Sequence, residues 1–234
     1  MTTNDSIYED GTYLANRPMW HAEDSGWKAA QIAKMLQKNG VSPSTVAEFG
    51  CGAGEILNCL SHQYGNGVMF HGYEISPQAF ELCRKKEKRN LHFSLMDPLE
   101  ETEQAVDVLM VIDVFEHVED YLGFLRKLRS RGDHKVFHIP LDLSVQAVLR
   151  VSPIIKSRHS VGHIHYFTKE TALATLEDTG YEIVDYCYTC GSIELPNRGW
   201  KADLMKLPRK LLFLIDEDVA VRTLGGFSLL VLAK

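Results

Sequence analysis

The sequence predicts an α/β fold, a mostly parallel sheet with helices on both faces. Three observations lead there. Short apolar runs alternate with helical patterns between residues 45 and 140, the spacing of right-handed crossovers. Three glycines at alternate positions, Gly50, Gly52 and Gly54, separate the first of those runs from the helix that follows it. The fourth run, Val106–Ile112, is bulky and apolar apart from Asp107, as a central parallel strand is.

The elements follow in order. Residues 27–38 carry Ile32, Ala33 and Leu36 at helical spacing, with Asp24 or Ser25 as a cap and Gly40 and Pro43 as stops. A strand from Val46 leads into the glycine loop, and a helix covers 55–62. A second strand, 68–74, is bounded by Gly65-Asn-Gly67 and Ser76-Pro77, and Pro77 suits the first turn of a helix over 78–89. Leu91–Leu95 is a short third strand. A helix over 121–129 and a fifth strand over 135–139, closed by Pro140, complete the alternation. Beyond it the pattern loosens. A helix over 144–151 precedes Pro153 and a histidine-rich stretch, Arg158-His-Ser-Val-Gly-His-Ile-His-Tyr166. A helix over 169–179 has Thr168 as N-cap and Gly180 as stop. Strands over 181–188 and 226–233 flank a long connection with a helix over 207–215.

The 234 residues fit one domain, and 45% hydrophobic content suffices for a core. A formal charge of −6 weighs against a surface that coats nucleic acid. The apolar runs are too short to span a bilayer, and the first residues lack the basic start and apolar core of a signal peptide. Five cysteines, an odd number scattered through an α/β pattern, suit reduced thiols in the cytoplasm.

The stretch Val46-Ala-Glu-Phe-Gly-Cys-Gly-Ala-Gly-Glu55 reads as a buried strand, a tight turn and a helix start. Glycine permits positive φ and lets a ligand approach bare backbone. The open N–H groups of a helix start attract anions. Such a loop binds an elongated polar ligand, most often nucleotide-like. Glu74 lies 20 residues after Gly54, where a carboxylate at a strand tip meets a ribose hydroxyl pair. A nicotinamide fingerprint would need Gly-x-Gly-x-x-Gly, and position 55 is Glu.

Together these motifs resemble the class I S-adenosylmethionine-dependent methyltransferases of the broad small-molecule type. Glu48, Gly50, Gly52 and Gly54 match the family's first motif and Glu74 its second. Asp97 matches the third, and Ile112-Asp-Val-Phe-Glu-His-Val118 the fourth. The resemblance is tight over residues 45–140. It implies a Rossmann-like, seven-stranded sheet whose last strand is antiparallel. It also implies one domain over 1–234: an N-terminal lid or helix (1–40), a cofactor core (45–140), and substrate-side or cap insertions (141–168 and 189–225).

The cofactor implied is S-adenosyl-L-methionine, with S-adenosyl-L-homocysteine as product. Glu48 would lie near its amino end, Glu74 on the ribose, and Asp97 on the adenine amino group. Ile75, Pro98, Asp113, Val114 and His117 would complete the contacts. Glu116 reads as structural, Cys51 as a small loop residue, and Cys187-x-x-Cys190 as incidental. The acceptor would be an oxygen or nitrogen of a small metabolite. A protein or other macromolecular acceptor, or binding without transfer, is the alternative. Asp113-Val-Phe-Glu in place of an (Asn/Asp)-Pro-Pro-aromatic run argues against amino-directed DNA methylation.

A base for the acceptor is sought among His163, His165 and His159, which border the acceptor pocket in the family. Gly162, His163, Phe167 and Thr168 match the Gly-His and aromatic-Thr found there. His138 is a further pocket candidate, and Tyr13, Trp20, His21 and Trp27 could form a lid. No metal is assigned, because no acidic ligand lies beside His159, His163 and His165 in the sequence. Neither a membrane nor a nucleic acid is expected as partner, and the oligomeric state is left open.

Overall fold

A computed structural model describes residues 22–97, 99, 105–195 and 200–234. Seven strands form one sheet in the order β3-β2-β1-β4-β5-β7-β6. They are β1 (Thr45–Phe49), β2 (Met69–Glu74), β3 (Leu91–Leu95), β4 (Val106–Ile112), β5 (Gly132–Pro140), β6 (Ile183–Thr189) and β7 (Ser228–Ala233). Strands β1 to β5 pair in parallel, and β7 runs antiparallel to both β5 and β6. The chain leaves β1 toward one edge and returns to β4 on the other side of β1. Ligands bind in the crevice at the carboxyl ends of strands around such a reversal.

Alternate residues of the central strands feed two cores. Val108 and Met110 of β4 join Val46, Phe70 and Val136 under α1 (Ala22–Lys38) and α2 (Glu55–Tyr64), which supply Ile32, Leu36, Leu57 and Leu60. Leu109 and Val111 face the opposite way. They join Phe49, Phe137 and Val231 under α4 (Tyr121–Leu128) and α7 (Lys169–Asp178). A strand buried on both faces needs apolar residues at every position, hence the unbroken run that marked β4 in the sequence.

Several elements depart from the sequence expectation. Helix α1 begins by Ala22, which places Asp24 and Ser25 inside it rather than at its cap. Helix α3 (Pro77–Cys83) is capped by Ser76 and gives way to a tight 3₁₀ turn at Arg84–Lys86, well short of residue 89. Thr168 caps α7 as expected, in a reciprocal pair with Thr171.

The histidine-rich stretch is partly helical. Short α5 (Val145–Arg150), capped by Ser144, is followed at once by α6 (Ser152–Val161), with Pro153 in its first turn. Val151 joins them at φ 59°, a strained conformation for a β-branched residue. After β6 come α8 (Gly191–Glu194), α9 (Trp200–Ile215) and α10 (Glu217–Leu224). Helix α9 runs through Pro208, although a proline invites a helix start just before it. Leu212 and Phe213 dock on the core beyond the proline and anchor the second half of the helix. Among the described residues, no helix is long and apolar enough to cross a membrane.

Candidate active site

The carboxyl ends of β1, β2, β4 and β5 open into a cavity of ≈ 760 Å³. At one end lies the glycine loop. Gly50, Gly52 and Gly54 have φ of 71°, 55° and 73°, all left-handed. A Cβ on Gly50 would stand 2.8 Å from a Val114 methyl, and one on Gly54 2.6 Å from the Phe93 ring. Space and backbone conformation both demand glycine at these two positions.

Glu74, at the tip of β2, clamps this loop. Its Oε2 accepts from the Gly52 N–H at 2.7 Å, and Oε1 accepts from Ile75 (3.0 Å) and Ser76 (2.9 Å). Burial pushes its pKa up, against the pull of those three donors. Ile75 beside it is half-exposed and faces the cavity. Asp97 sits past the end of β3, exposed, with Oδ1 accepting from the Leu99 N–H at 2.9 Å. It is outside the cavity wall. Pro98 and the lid candidates Tyr13, Trp20 and His21 lie outside the described residues. Trp27 lines the cavity and donates to Glu194 Oε2 at 2.6 Å.

Between the two ends stands a charged chain of side chains. Lys28, reaching in from α1, donates to Asp113 Oδ2. The other oxygen, Oδ1, accepts from His138 Nδ1 at 2.5 Å, and His138 Nε2 meets Thr189 Oγ1 at 2.9 Å. Asp113 takes a left-handed φ of 54°, which Asp tolerates better than most residues. Burial alone would raise its pKa. His138 and Lys28 outweigh that and hold it well below the usual carboxylate range. Burial likewise works against the charge on Lys28, and Asp113 more than restores it. Glu48 has no such support. It is buried, its Oε2 has no hydrogen-bond partner among the described residues, and burial pushes its pKa well up despite Lys28 nearby.

The far end is built around His163. Its Nδ1 donates to Asp142 Oδ2 at 2.6 Å and is 2.9 Å from Ser157 Oγ. An ionised carboxylate only accepts, so this bond puts a proton on Nδ1; in the neutral ring Nε2 is then the nitrogen with the lone pair. That nitrogen lies 4.0 Å from Glu116 Oε1. The His117 ring packs edge-on against His163 at 4.9 Å between centroids. Burial, reinforced by His163, pushes the His117 pKa down to about 4, so the ring is neutral near pH 7. Glu116 is 1% exposed, and neither carboxylate oxygen has a hydrogen-bond partner on another described residue. Burial drives its pKa well up, with Asp113 adding to the effect. An unpaired buried carboxylate costs several kcal/mol.

A family model for a methyltransferase domain matches residues 19–186 of this sequence. The chain belongs to that family. It is a class I S-adenosylmethionine-dependent methyltransferase by sequence and by fold. No curated protein matches it. Solved structures with the same fold include the magnesium protoporphyrin IX methyltransferase of Synechocystis with bound S-adenosyl-L-homocysteine. That structure is 16% identical with a TM-score of 0.60, over 89% of this chain and 82% of that one. The N-methyltransferase NodS of Bradyrhizobium japonicum, also with S-adenosyl-L-homocysteine, is 16% identical with a TM-score of 0.55, over 88% and 84%. The cyclopropane synthase MmaA2 of Mycobacterium tuberculosis is 16% identical with a TM-score of 0.59, over 88% and 84%. The cofactor of the methyltransferase is S-adenosylmethionine.

Of the residues that the sequence singles out in this methyltransferase, Glu48, Gly50, Gly52, Glu74, Ile75, Asp113, Val114, His117 and His163 share the one cavity. Gly54 lies just behind, at the start of α2. His159 and His165 do not join them. His159 is exposed on the last turn of α6, a helix that the sequence reading leaves as loop. His165 Nε2 is bonded to the Val118 carbonyl at 2.9 Å, and its ring rests on Tyr121. Lys28, Asp142 and the reach of Glu116 toward His163 went unread. Each depends on a partner distant in the chain, Lys28 and Asp113 being 85 residues apart. All five cysteines are free, and burial pushes the Cys51 thiol well up, which makes it a poor nucleophile.

Proposed function

We propose that this methyltransferase transfers a methyl group to an oxygen or nitrogen atom of a small metabolite. The observation that carries this reading is the single cavity shared by the glycine loop and the His163–Asp142 pair. Its volume falls within the range of about 300–1,000 Å³ typical of small-ligand pockets.

The glycine end fits the cofactor. Gly50 and Gly52 present bare backbone to the cavity there, with Gly54 behind them. The unpartnered Oε2 of Glu48 would receive the cofactor's ammonium. Glu74 has one of its four acceptor lone pairs left for a ribose hydroxyl beside its three N–H bonds. Ile75 and Val114 would flank the adenine and methionine parts. Asp97 would reach the adenine amino group from beyond the cavity wall, and Asp113 and His117 would close the side toward the acceptor.

The bound cofactor supplies a methyl group already activated on a sulfonium. The chain's main task is then alignment and exclusion of water, effects worth about 7–11 kcal/mol. Ala147, Pro153, Val161 and Phe227 give the acceptor half an apolar lining. His163 is the group placed to deal with the acceptor's proton, at Nε2. His138 is not, because Asp113 and Thr189 engage both its ring nitrogens. The free thiols support a cytoplasmic location. Incubation with methyl-labelled cofactor and a metabolite extract tests the reading. A labelled small product is expected. Label found only on protein or nucleic acid, or tight cofactor binding with no labelled product, would overturn it.

A further inference from the structure

We propose that Glu116, His117 and His163 form a binding site for one first-row divalent metal ion at the acceptor end of the cavity. One ligand atom from each lies within 4.8 Å of the others. Glu116 Oε1 is 4.0 Å from His163 Nε2 and 3.9 Å from His117 Nε2. Ligands held at about 2.0–2.2 Å around a tetrahedral ion stand about 3.3–3.6 Å apart, so the two Glu116 pairs need a contraction of about half an ångström, and the histidine pair, within 4.8 Å, a contraction of about an ångström or less.

The second observation is Glu116 itself. A carboxylate 1% exposed, with both oxygens unpartnered and directed between two histidines, is a group waiting for a cation. One support around it has the form that metal-ligating histidines use: His163 donates its other ring nitrogen to Asp142. Two imidazoles and one carboxylate suit zinc, cobalt, manganese or iron, and suit magnesium or calcium poorly. Both histidines line the cavity, so an open coordination position would face the acceptor.

Metal binding does not require the methyl-transfer reading. Where that reading holds, this inference deepens it. A hydroxyl bound to the ion gives its proton to water near neutral pH. Its oxygen then forms the new bond to the methyl carbon as the sulfur–carbon bond breaks. His163 acts in that case as a ligand and not as the base.

The test is titration of chelator-treated protein with Co²⁺, followed by d–d absorption. One equivalent bound in a low-symmetry site is expected. Glu116→Gln and His163→Ala should each abolish the bands, and Asp142→Asn should weaken binding by about 10–100-fold. His159→Ala, on an exposed neighbour, should leave them intact. Glu116→Gln keeps the size and shape of the side chain and carries no charge, so it should fold without metal. Its melting temperature should ignore Co²⁺ while that of the wild type rises. No stoichiometric binding by the wild type, or wild-type binding by Glu116→Gln and His163→Ala, would overturn the site. Parallel titration with S-adenosyl-L-homocysteine separates the two readings, since failure to bind it while Co²⁺ still binds would strike the cofactor assignment alone.

Discussion

At the glycine end of the cavity, Glu74 is held by three backbone N–H groups from Gly52, Ile75 and Ser76. At the other end, His163 is held by the side chains of Asp142 and Ser157 and faces Glu116, from another part of the chain. The first end is made of backbone N–H groups gathered on one strand-end carboxylate. The second is made of side chains brought together by the sheet. A backbone site carries its chemistry in spacing, because glycines and a strand-end carboxylate must fall at set intervals. A side-chain site has no such constraint, and any residue that the fold delivers will serve.

The contrast is sharpest in activity. His163→Ala should lower turnover by about 10²–10⁴-fold, the usual range for loss of a group that handles a proton, while cofactor affinity stays within about twofold. Steady-state kinetics beside calorimetry would show it. Parallel losses in both would mean that the two ends are one site and break the comparison. Gly54→Ala tests the backbone end. A left-handed alanine costs about 1–2 kcal/mol and overpacking about 1–3. Its methyl would press on Phe93 and Cys83, so denaturant unfolding should report a loss of about 2–5 kcal/mol.

Glu48→Gln should act in opposite directions on the two properties. Cofactor affinity should fall roughly tenfold with loss of a charged partner. Stability should rise by about 1 kcal/mol, or about 2–4 °C in Tm, because burial of the charge is what the wild type bears. The pH dependence follows in sign. A carboxyl whose pKa is raised on folding stabilises below its ordinary value of 4.5 and loses that contribution as pH rises through the folded value. Wild type should therefore lose stability over that range relative to Glu48→Gln. The smallest effect belongs to His159→Ala. Turnover should change by less than about twofold, since the exposed His159 ring is outside the cavity. A large loss would place α6 in the acceptor site.

This division also explains what could be read beforehand. β3 and β4 fall where the sequence places them, and the glycine loop, Glu74 and the Glu-His-Val segment mark the family, because each rests on local spacing. Helix α6 escaped because its apolar residues make no clean stripe, and none of its residues is buried. The histidines attracted attention as a cluster in sequence, yet His159, His163 and His165 point to three different places. The acid missing beside them is Glu116, delivered from the turn after β4, where Ile164 and His165 donate their N–H groups to the Glu116 carbonyl at 3.0 and 3.1 Å. No window on the sequence contains that approach.

The position of β7 has a consequence for how the molecule is made. This strand lies inside the sheet, between β5 and β6, yet follows both in the chain. During synthesis β6 emerges with no strand to pair with, and β5 has one edge bare. The pairing that closes both gaps joins Lys135 to Ala233 and Ile183 to Ala233, so the longer of these contacts must wait for distant residues. Contacts of such separation form slowly. His138, on β5, and Thr189, on β6, reach their final distance only when β7 arrives between them. Completion of the sheet beside β5 thus waits for residues made after both neighbours of β7.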